Sequence, residues 1–409
     1  MNIVYIDHYA GSDYHGMEFR PYYLSKEWLK MGHHVTIIAA DYSHLRKVNP
    51  TTQVDWEEST IEGVDYNWVK VSPYEGNGLK RILSMVQFVS KISLHAKEIA
   101  KKYSPDVVIC SSTYPFDTYA GQRIKKYSNA KLIHEVHDLW PLTPMELGGY
   151  SKYHPFIKIM QIAEKSAYKK SALIVSILPN IKPYVASLNL NNKIVSIPNG
   201  IVLQEEASFS PANQVILDRV NDLKKINHFV IGYAGGISVS NAMWTLLETA
   251  ELLKDKKISF IIIGSGIEKE QLVAYKETHK LDNVHFFDAI DKGEVHRTLQ
   301  AMDALYLGSK KSHLYEFGVS ANKIFDYMLT GKPIINAFDS KHSPLNYFGD
   351  SFVAEAENAL ALKNAIERVM LLPAEELQRI KIKSIEYVKT NHNYPKLADD
   401  FAKEFYNEL

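Results

Sequence analysis

Cysteine is nearly absent from this chain, since Cys110 is the single one among 409 residues. One thiol allows neither an internal disulfide framework nor a thiolate metal cluster, which favours a reducing compartment and argues against a small stapled scaffold. At about 100–200 residues per domain, the length instead predicts two domains, each able to bury its own core.

Net charge is also absent, because 47 Lys and Arg residues balance 47 Asp and Glu residues. Nucleic-acid-binding domains are usually basic, so the balance argues against a nucleic-acid partner. It conceals a modest division: residues 1–200 carry 23 cations and 18 anions, which leaves 24 and 29 for residues 201–409. Chance scatter of surface charge is the alternative to a functional division.

Membrane-spanning and targeting patterns are lacking too. No window approaches the roughly 18–20 apolar residues of a spanning helix, and the opening MNIVYIDHYAG has neither a basic leader nor a long apolar segment. We therefore expect a cytoplasmic protein that is soluble or lies at the inner face of the cytoplasmic membrane.

Short apolar runs alternate with segments of helical period, which is typical of βαβ units and parallel sheets. The predicted fold is α/β with two doubly wound sheets in series. The candidate strands are 3–6, 35–39, 107–110, 132–136, 173–177 and 194–197, followed by 228–236, 258–266, 283–289, 304–309 and 332–338. This series predicts an N-terminal domain at 1–200, a linker at 201–227, a C-terminal domain at 228–390, and a final helix at 391–409 that crosses back to the N-terminal domain.

Three glycine loops follow predicted strands: GSDYHG at 11–16, GGISVSN at 235–241 and GSG at 264–266. Glycine lets a backbone approach a ligand closely, and a following helix N-terminus supplies N–H groups, so such loops suit a diphosphate. None matches the ATP-binding P-loop or the full dinucleotide fingerprint. Ordinary βα turn chemistry is the alternative for each loop.

The most informative stretch is EFGVSANKIFDYMLTGKPII at 316–335. Ser320 and Asn322 are good candidate helix N-caps, and Lys323 would stand in the first turn. A lysine there opposes the helix dipole unless an anion lies between them. Asp326, one turn further on, could accept hydrogen bonds from a ribose diol. A capped helix with a solvated lysine is the alternative.

Taken in order along the chain, these features resemble family 4 of the retaining GT-B glycosyltransferases over almost the whole length. The segments that carry the resemblance are MGHHVTIIAA at 31–40, HEVHDLWP at 134–141, IPNG at 197–200, YAGG at 233–236, IIIGSG at 261–266 and SANKIFDYMLTGKPII at 320–335. YYLSKEWLKMGHHVTIIAADYSHLR and ANKIFDYM are similar to the O-antigen and capsule subgroup, including N-acetyl-fucosamine transferases. The resemblance implies a GT-B fold, with two Rossmann-like domains facing across a cleft.

The resemblance also implies roles for particular residues. Asp326 takes the place of the second acid of an E-x7-E motif, which holds the nucleotide ribose. Lys323 would neutralise the diphosphate, helped by Arg20. The implied donor and nucleotide contacts are Gly235, Gly236, Asn241, Gly264, Gly266, Phe287, Ala289, Ser320, Ala321, Asn322 and Asp326, and the implied acceptor or phosphate contacts are Gly16, Arg20 and Asp138.

The implied catalytic residues are His137, Lys323 and Glu316. His137 would contact the transferred sugar and its phosphate, with a structural His–Asp pair as the alternative, whereas His134 and Glu135 are expected to be scaffold. Glu316 enters because Gly318 stands where the motif has its first acid, and Glu316 could replace that acid only if the loop is reshaped. The family's Arg and Lys after the GG loop are also missing, with Ser238, Ser240 and Asn241 there instead.

The implied activity is retaining transfer of an N-acetylated or deoxy-amino sugar from a UDP-linked donor to a polyprenyl-diphosphate-linked saccharide in surface-polysaccharide biosynthesis. The sequence contains no D-x-D pair, so we expect no metal and no cofactor beyond the nucleotide sugar. Two alternatives stay open, a UDP-sugar 2-epimerase-like enzyme and a non-catalytic GT-B partner subunit.

A basic helix is predicted at 78–103. It holds six Lys or Arg residues against the single acid Glu98, and its apolar residues cover more than a core stripe requires. A basic amphipathic helix suits a surface of anionic lipid, so we expect peripheral membrane contact here. An ordinary, partly buried helix is the alternative.

Overall fold

The computed structural model describes residues 1–76, 78–205, 208–338, 340–348 and 352–406. The chain forms two units, unit 1 comprising Met1–Pro198 with Tyr394–Leu409, and unit 2 comprising Asn199–Asn393. Each unit is built on its own mainly parallel sheet, which confirms the predicted α/β class.

The sheet of unit 1 has eight strands: β1 Asn2–Ile6, β2 His34–Ala40, β3 Glu57–Ile61, β4 Val64–Val69, β5 Val107–Cys110, β6 Lys131–Val136, β7 Leu173–Ser176 and β8 Ile194–Ser196. Their order is β3-β4-β2-β1-β5-β6-β7-β8, and among the described residues of this sheet only β3 and β4 pair antiparallel. The sequence pattern does not predict this hairpin, because β3 is a polar edge strand whose central residues are exposed.

The helices of unit 1 before the boundary are α1 Arg20–Lys30, α2 Leu79–Leu94, α3 Ala96–Tyr103, α4 Asp117–Tyr127, α5 Leu142–Glu146, α6 Pro155–Lys170 and α7 Lys182–Ser187. The helix predicted at 78–103 is therefore two helices, α2 and α3. They separate at His95, whose backbone leaves the helical region (φ −91°, ψ 8°) and whose ring bonds to the Lys91 carbonyl at 2.9 Å.

Unit 2 has six parallel strands: β9 Phe229–Ala234, β10 Ile258–Ile263, β11 Val284–Phe287, β12 Ala304–Gly308, β13 Ile334–Ala337 and β14 Phe352–Val353. Their order is β11-β10-β9-β12-β13-β14. The helices are α8 Gln214–Lys225, α9 Met243–Leu252, α10 Lys269–His279, α11 Lys292–Gln300, α12 Asn322–Thr330, α13 Pro344–Phe348, α14 Ala359–Met370 and α15 Ala374–Asn391.

The segment predicted as a linker, 201–227, contains helix α8. Asn213 caps α8 by accepting a hydrogen bond from the Ile216 amide at 3.4 Å, and Ile216, Val220 and Leu223 bury one face at helical spacing. Residues 206 and 207 of that segment, and residues 407–409 of the final predicted helix, lie outside the described residues.

The last helix, α16 Tyr394–Tyr406, completes the core of unit 1. The Trp28 indole donates a hydrogen bond to the Ala398 carbonyl at 2.9 Å and packs its ring edge-on against Phe401 and Phe405. Pro395 lies in the first turn of α16, where its missing N–H group is not needed. The two ends of the chain thus share one core.

The strand order gives each unit a topological switch point, which is where open α/β sheets bind ligands. In unit 1 the chain leaves β1 in one direction and β5 in the other, so the loops after these strands flank a topological switch point. They are joined by a hydrogen bond of 3.0 Å from the His8 amide to Ser112 Oγ. In unit 2 the switch lies between β9 and β12, whose following loops join through the Lys310 amide and the Ser240 carbonyl at 3.4 Å.

No helix within the described ranges combines the length and the apolar composition needed to cross a bilayer.

Candidate functional site

The glycine loops after β9 and β10 pack backbone against backbone. The Gly235 amide donates to the Ile263 carbonyl at 3.0 Å. A Cβ atom on Gly264 would lie 1.9 Å from the Gly235 carbonyl oxygen, and one on Gly266 would lie 2.0 Å from that of Ile237. Gly264 and Gly266, predicted as donor contacts, are therefore required as glycines by the packing of the two loops.

The other side of the first loop is open and polar. A Cβ atom on Gly236 would come no nearer to another group than 3.9 Å, to the Asn241 amide nitrogen, which donates to the Gly236 carbonyl at 2.9 Å. The Lys323 ammonium donates to Asn241 Oδ1 and lies 3.4 Å from the Tyr233 hydroxyl and 5.1 Å from the centre of its ring. The structure thus brings Gly235, Gly236, Asn241 and Lys323 together, and adds Tyr233, which the sequence analysis missed.

Lys323 is a half-buried cation with neutral partners. Burial lowers the pKa of its ammonium group to about 8. Within the part of the chain that the structure describes, no carboxylate forms an ion pair with it. Desolvating a charge without a counter-ion costs free energy, and an anion bound beside the open glycine backbone would restore it.

Helix α12 begins without a side-chain cap. Its N-cap residue is Ala321, so the predicted caps Ser320 and Asn322 are wrong. Ser320 is buried and accepts a hydrogen bond from the Asn199 amide at 2.9 Å, while Asn322 is already the first helical residue. The first N–H groups of α12, close to Lys323, are therefore not taken up by a cap and are suited to bind an anion.

Tyr327 fixes α12 against the end of β9. Its hydroxyl accepts from the Ala234 amide at 2.8 Å and donates to the Ala234 carbonyl at 3.1 Å. On the same helix Asp326 is half-buried; burial raises the pKa of its carboxyl, and the Lys292 ammonium partly opposes this. Asp326 therefore follows Lys323 on the same short helix, and its contact with a ribose stays a prediction.

The remaining residues predicted in unit 2 are Glu316, Phe287 and Ala289. Glu316 is exposed in a 3₁₀ turn, His313–Phe317, and its carboxylate lies 2.9 Å from His313 Nδ1. Its replacement of the missing acid stays a prediction. Phe287 ends β11, and its carbonyl accepts from the Lys269 ammonium at 3.0 Å. Ala289 is exposed in the loop that follows.

In unit 1 the predicted catalytic residue His137 follows β6, and two side chains contact the Nε2 atom of its ring. Its Nε2 atom lies 2.7 Å from Ser111 Oγ and 3.4 Å from Glu135 Oε2. Glu135 is fully buried and also accepts hydrogen bonds from the Tyr5 hydroxyl at 2.5 Å and from Ser111 Oγ at 2.6 Å. Glu135, expected to be scaffold, is thus a direct partner of His137.

Arg20 has a structural position that differs from the expected phosphate contact. It is buried, and four of its five N–H groups are used inside unit 1. Two donate to Glu135 Oε1 at 2.8 and 3.0 Å, and two donate to the Ile197 and Pro198 carbonyls at 2.8 and 2.7 Å. The contact of Arg20 with a diphosphate stays a prediction.

The other two predicted acceptor residues lie at the surface of the same unit. Gly16 occupies a turn with φ of 83°, beside the side chain of Lys47. Asp138 is exposed and directly follows His137. Their contacts with an acceptor stay predictions.

Known protein families match both halves of the chain. Residues 14–205 match the family model Glycosyltransferase Family 4, and residues 228–371 match the model Glycosyl transferases group 1. Each half of the chain thus resembles a glycosyltransferase domain.

The relatives that resemble this chain share little sequence identity with it. WcaI of Escherichia coli (strain K12), provisionally assigned as a colanic acid biosynthesis glycosyl transferase, is 23% identical over 374 residues, 85% of this chain and 87% of that protein. Sucrose-phosphate synthase from Thermosynechococcus elongatus has a TM-score of 0.72 at 16% identity, over 98% of both chains. Anabaena HepE, in complex with UDP and glucose, has a TM-score of 0.68 at 14% identity over 100% of both. The expected GT-B fold is confirmed.

Alanine substitutions at two neighbouring glycines should separate loop packing from ligand access. We expect Gly264→Ala to destabilise unit 2 by about 1–3 kcal/mol, because its Cβ overlaps the Gly235 carbonyl. Gly236→Ala should keep stability within about 0.5 kcal/mol, since its Cβ meets open space, yet weaken nucleotide binding. Urea unfolding followed by circular dichroism measures the stability of both variants. Equal stability of the two would contradict the role of Gly264 in loop packing.

The pH dependence of nucleotide affinity should report Lys323. Its charged form binds an anion, and its pKa is about 8, so UDP affinity should fall as pH rises from about 7 to about 9. Lys323→Met should bind about 10- to 100-fold more weakly at pH 7 and lose this dependence. Lys254→Met, at an exposed lysine of the same unit, is the matched control for calorimetric titration. A wild-type affinity that is flat over this range would exclude Lys323 as the anion contact.

Proposed function

We propose that this protein is a retaining, metal-independent glycosyltransferase, which moves a sugar from a UDP-linked donor to a lipid-linked saccharide acceptor in surface-polysaccharide biosynthesis. The observation that carries the proposal is the half-buried ammonium of Lys323, held against the open glycine loop at Gly236 and beside the uncapped start of α12. Support for the donor comes from HepE, whose complex holds UDP and glucose, and support for the pathway comes from WcaI.

Each proposed role follows from chemistry that glycosyl transfer demands. The nucleotide diphosphate leaving group must be stabilised, and Lys323 with the first N–H groups of α12 supplies positive charge for it. Asp326 holds the ribose. His137 contacts the transferred sugar and its phosphate, while a phosphate oxygen of the donor accepts the proton of the acceptor hydroxyl. The expectation of an N-acetylated or deoxy-amino sugar rests on the resemblance of residues 22–46 and 321–328 alone.

Nucleotide binding and turnover give the decisive test. UDP, but not GDP, should raise the melting temperature, because a ligand that binds only the folded state stabilises it. Wild-type protein should release UDP from a UDP-sugar only when a polyprenyl-diphosphate-linked saccharide is added. His137→Ala should lose most of this turnover while its affinity for UDP changes little.

The alternatives predict other results in the same experiment. Conversion of a UDP-sugar without acceptor would indicate an epimerase-like enzyme, and absence of any nucleotide binding would indicate a partner subunit. Equal losses of binding and turnover in His137→Ala would remove its proposed role.

Unit 1 also offers a surface for the lipid part of the acceptor. Leu79, Leu83 and Val86 form an exposed apolar stripe at helical spacing on α2, and Ile159 and Ile162 are exposed on α6. The two helices are neighbours, since Met85 and Met160 share one buried cluster. We propose that this apolar surface, defined by the five exposed residues, lies against the membrane.

Three of the cations at 78–103 have partners inside unit 1, which leaves fewer charges for the proposed membrane surface. Of the six cations at 78–103, Arg81 bonds to the Tyr9 hydroxyl, Lys91 pairs with Asp55, and Lys102 pairs with Glu58. The exposed lysines that form no ion pair with a described residue are Lys80, Lys97 and Lys101. Attraction to anionic lipid therefore rests on these three cations together with the apolar stripe.

Liposome co-sedimentation tests this surface. Wild-type protein should pellet with vesicles that contain phosphatidylglycerol, and Leu83→Glu combined with Val86→Glu should reduce the bound fraction several-fold, because charge would enter the apolar contact. Ile382→Glu, at an exposed apolar position on α15, should bind like the wild type. If the α2 variant pellets as well as the wild type, the surface is not the membrane contact.

A further inference from the structure

The contacts around His137 determine where its ring carries a proton. Glu135 is buried and, as a carboxylate, can only accept hydrogen bonds, so the Ser111 hydroxyl at 2.6 Å must donate to it. A serine has one hydroxyl hydrogen. Ser111 Oγ must therefore accept at its other contact, the His137 Nε2 atom 2.7 Å away.

Nε2 of His137 consequently bears a hydrogen in both charge states of the ring. The second atom close to it, Glu135 Oε2 at 3.4 Å, is again an acceptor. The neutral ring is then the Nε2–H tautomer with a lone pair on Nδ1, and the charged ring adds its proton at Nδ1. Nδ1 is the nitrogen whose hydrogen bonding changes with pH.

The carboxylate behind the ring is itself rigidly placed. Glu135 Oε1 accepts two hydrogen bonds from the guanidinium of Arg20, which is also bound to the Ile197 and Pro198 carbonyls. Tyr5 donates to Glu135 Oε2 at 2.5 Å. Glu135 is thus oriented by α1, β1 and the end of β8, and it cannot turn away from Ser111 without breaking these bonds.

Several charged groups face the His137 ring. They are Asp7 at the end of β1, Glu18 before α1, Arg20 on α1, and His134, Glu135 and Asp138 on or after β6. Burial and the charge of Arg20 lower the pKa of His137. The carboxylates of Glu135 and Asp7 raise it by more, so the pKa of the ring lies above its ordinary value. When the ring is charged, its Nδ1–H can donate to an anionic oxygen.

We propose that Ser111 and Glu135 are positioning residues that fix one proton of His137 on Nε2 and so present Nδ1 as the donor to a phosphate oxygen of the substrate. The part concerning the substrate rests on the proposed function. The part concerning the proton does not, because it follows from contacts inside unit 1.

Nitrogen-15 NMR of histidine-labelled protein measures this directly. The signals of His137, assigned among the 16 histidines with a His137→Gln variant, should show the Nε2–H tautomer above the pKa of the ring. Ser111→Ala should mix the two tautomers and lower the titration midpoint by about one pH unit, the size expected when a hydrogen bond to a charged network is lost. Ser111→Thr, which keeps the hydroxyl, should restore both.

A neighbouring serine gives the matched control. Ser112 is equally buried, but its hydroxyl accepts from the His8 amide instead, so Ser112→Ala should leave the His137 signals unchanged. An Nδ1–H tautomer in the wild type would overturn the proposal. So would a Ser111→Ala variant with the wild-type tautomer and midpoint.

Kinetics then test the substrate part separately. If the protein transfers sugar, Ser111→Ala should lower kcat and shift its pH profile by the same amount as the NMR midpoint, with little change in KM. A shifted midpoint with an unshifted profile would overturn the role of Nδ1 toward substrate. Absence of any transfer, with the tautomer as expected, would remove the proposed function and leave the assignment of the Nε2 proton standing.

Discussion

The buried carboxylate of Glu135 is the constraint on which unit 1 depends. Burial alone would raise its pKa, but the Arg20 guanidinium and the hydrogen bonds from His137 and Ser111 hold the pKa well below its usual range. An ionised group without solvent is tolerable only when its oxygens are occupied by donors. Because those donors come from four separate elements, satisfying one charge also fixes the end of β8 and the orientation of the His137 ring.

In unit 2, the half-buried ammonium of Lys323 has neutral partners instead. Lys323 is held by an amide oxygen and lies near a tyrosine hydroxyl, neither of which cancels its charge. One unit therefore stabilises a charge internally, whereas the other keeps a cation that a ligand can neutralise. This contrast separates Arg20 from Lys323, although the sequence suggests a phosphate contact for both, and each of these contacts stays a prediction.

The sequence predicts best what is encoded locally. Buried strands appear as apolar runs, and Lys323 could be placed from the helix pattern around it, whereas α8 was missed although Ile216, Val220 and Leu223 show helical spacing. Glu135 was taken for scaffold because its partner Tyr5 lies 130 positions away in the chain and Ser111 lies 24 positions away. Ser320 was taken for a cap because a serine before a helix usually is one, and its bond to Asn199 depends on tertiary packing.

Helix α16 has a consequence for how the chain is made. The Trp28 indole donates to the carbonyl of Ala398, which is synthesised 370 residues later. Unit 2, in contrast, occupies the uninterrupted stretch Asn199–Asn393. During vectorial synthesis at the ribosome, the second unit can therefore acquire its complete core before the first one does. Until α16 has been synthesised, the apolar surface that it covers on the N-terminal sheet stays exposed to solvent and to chaperones.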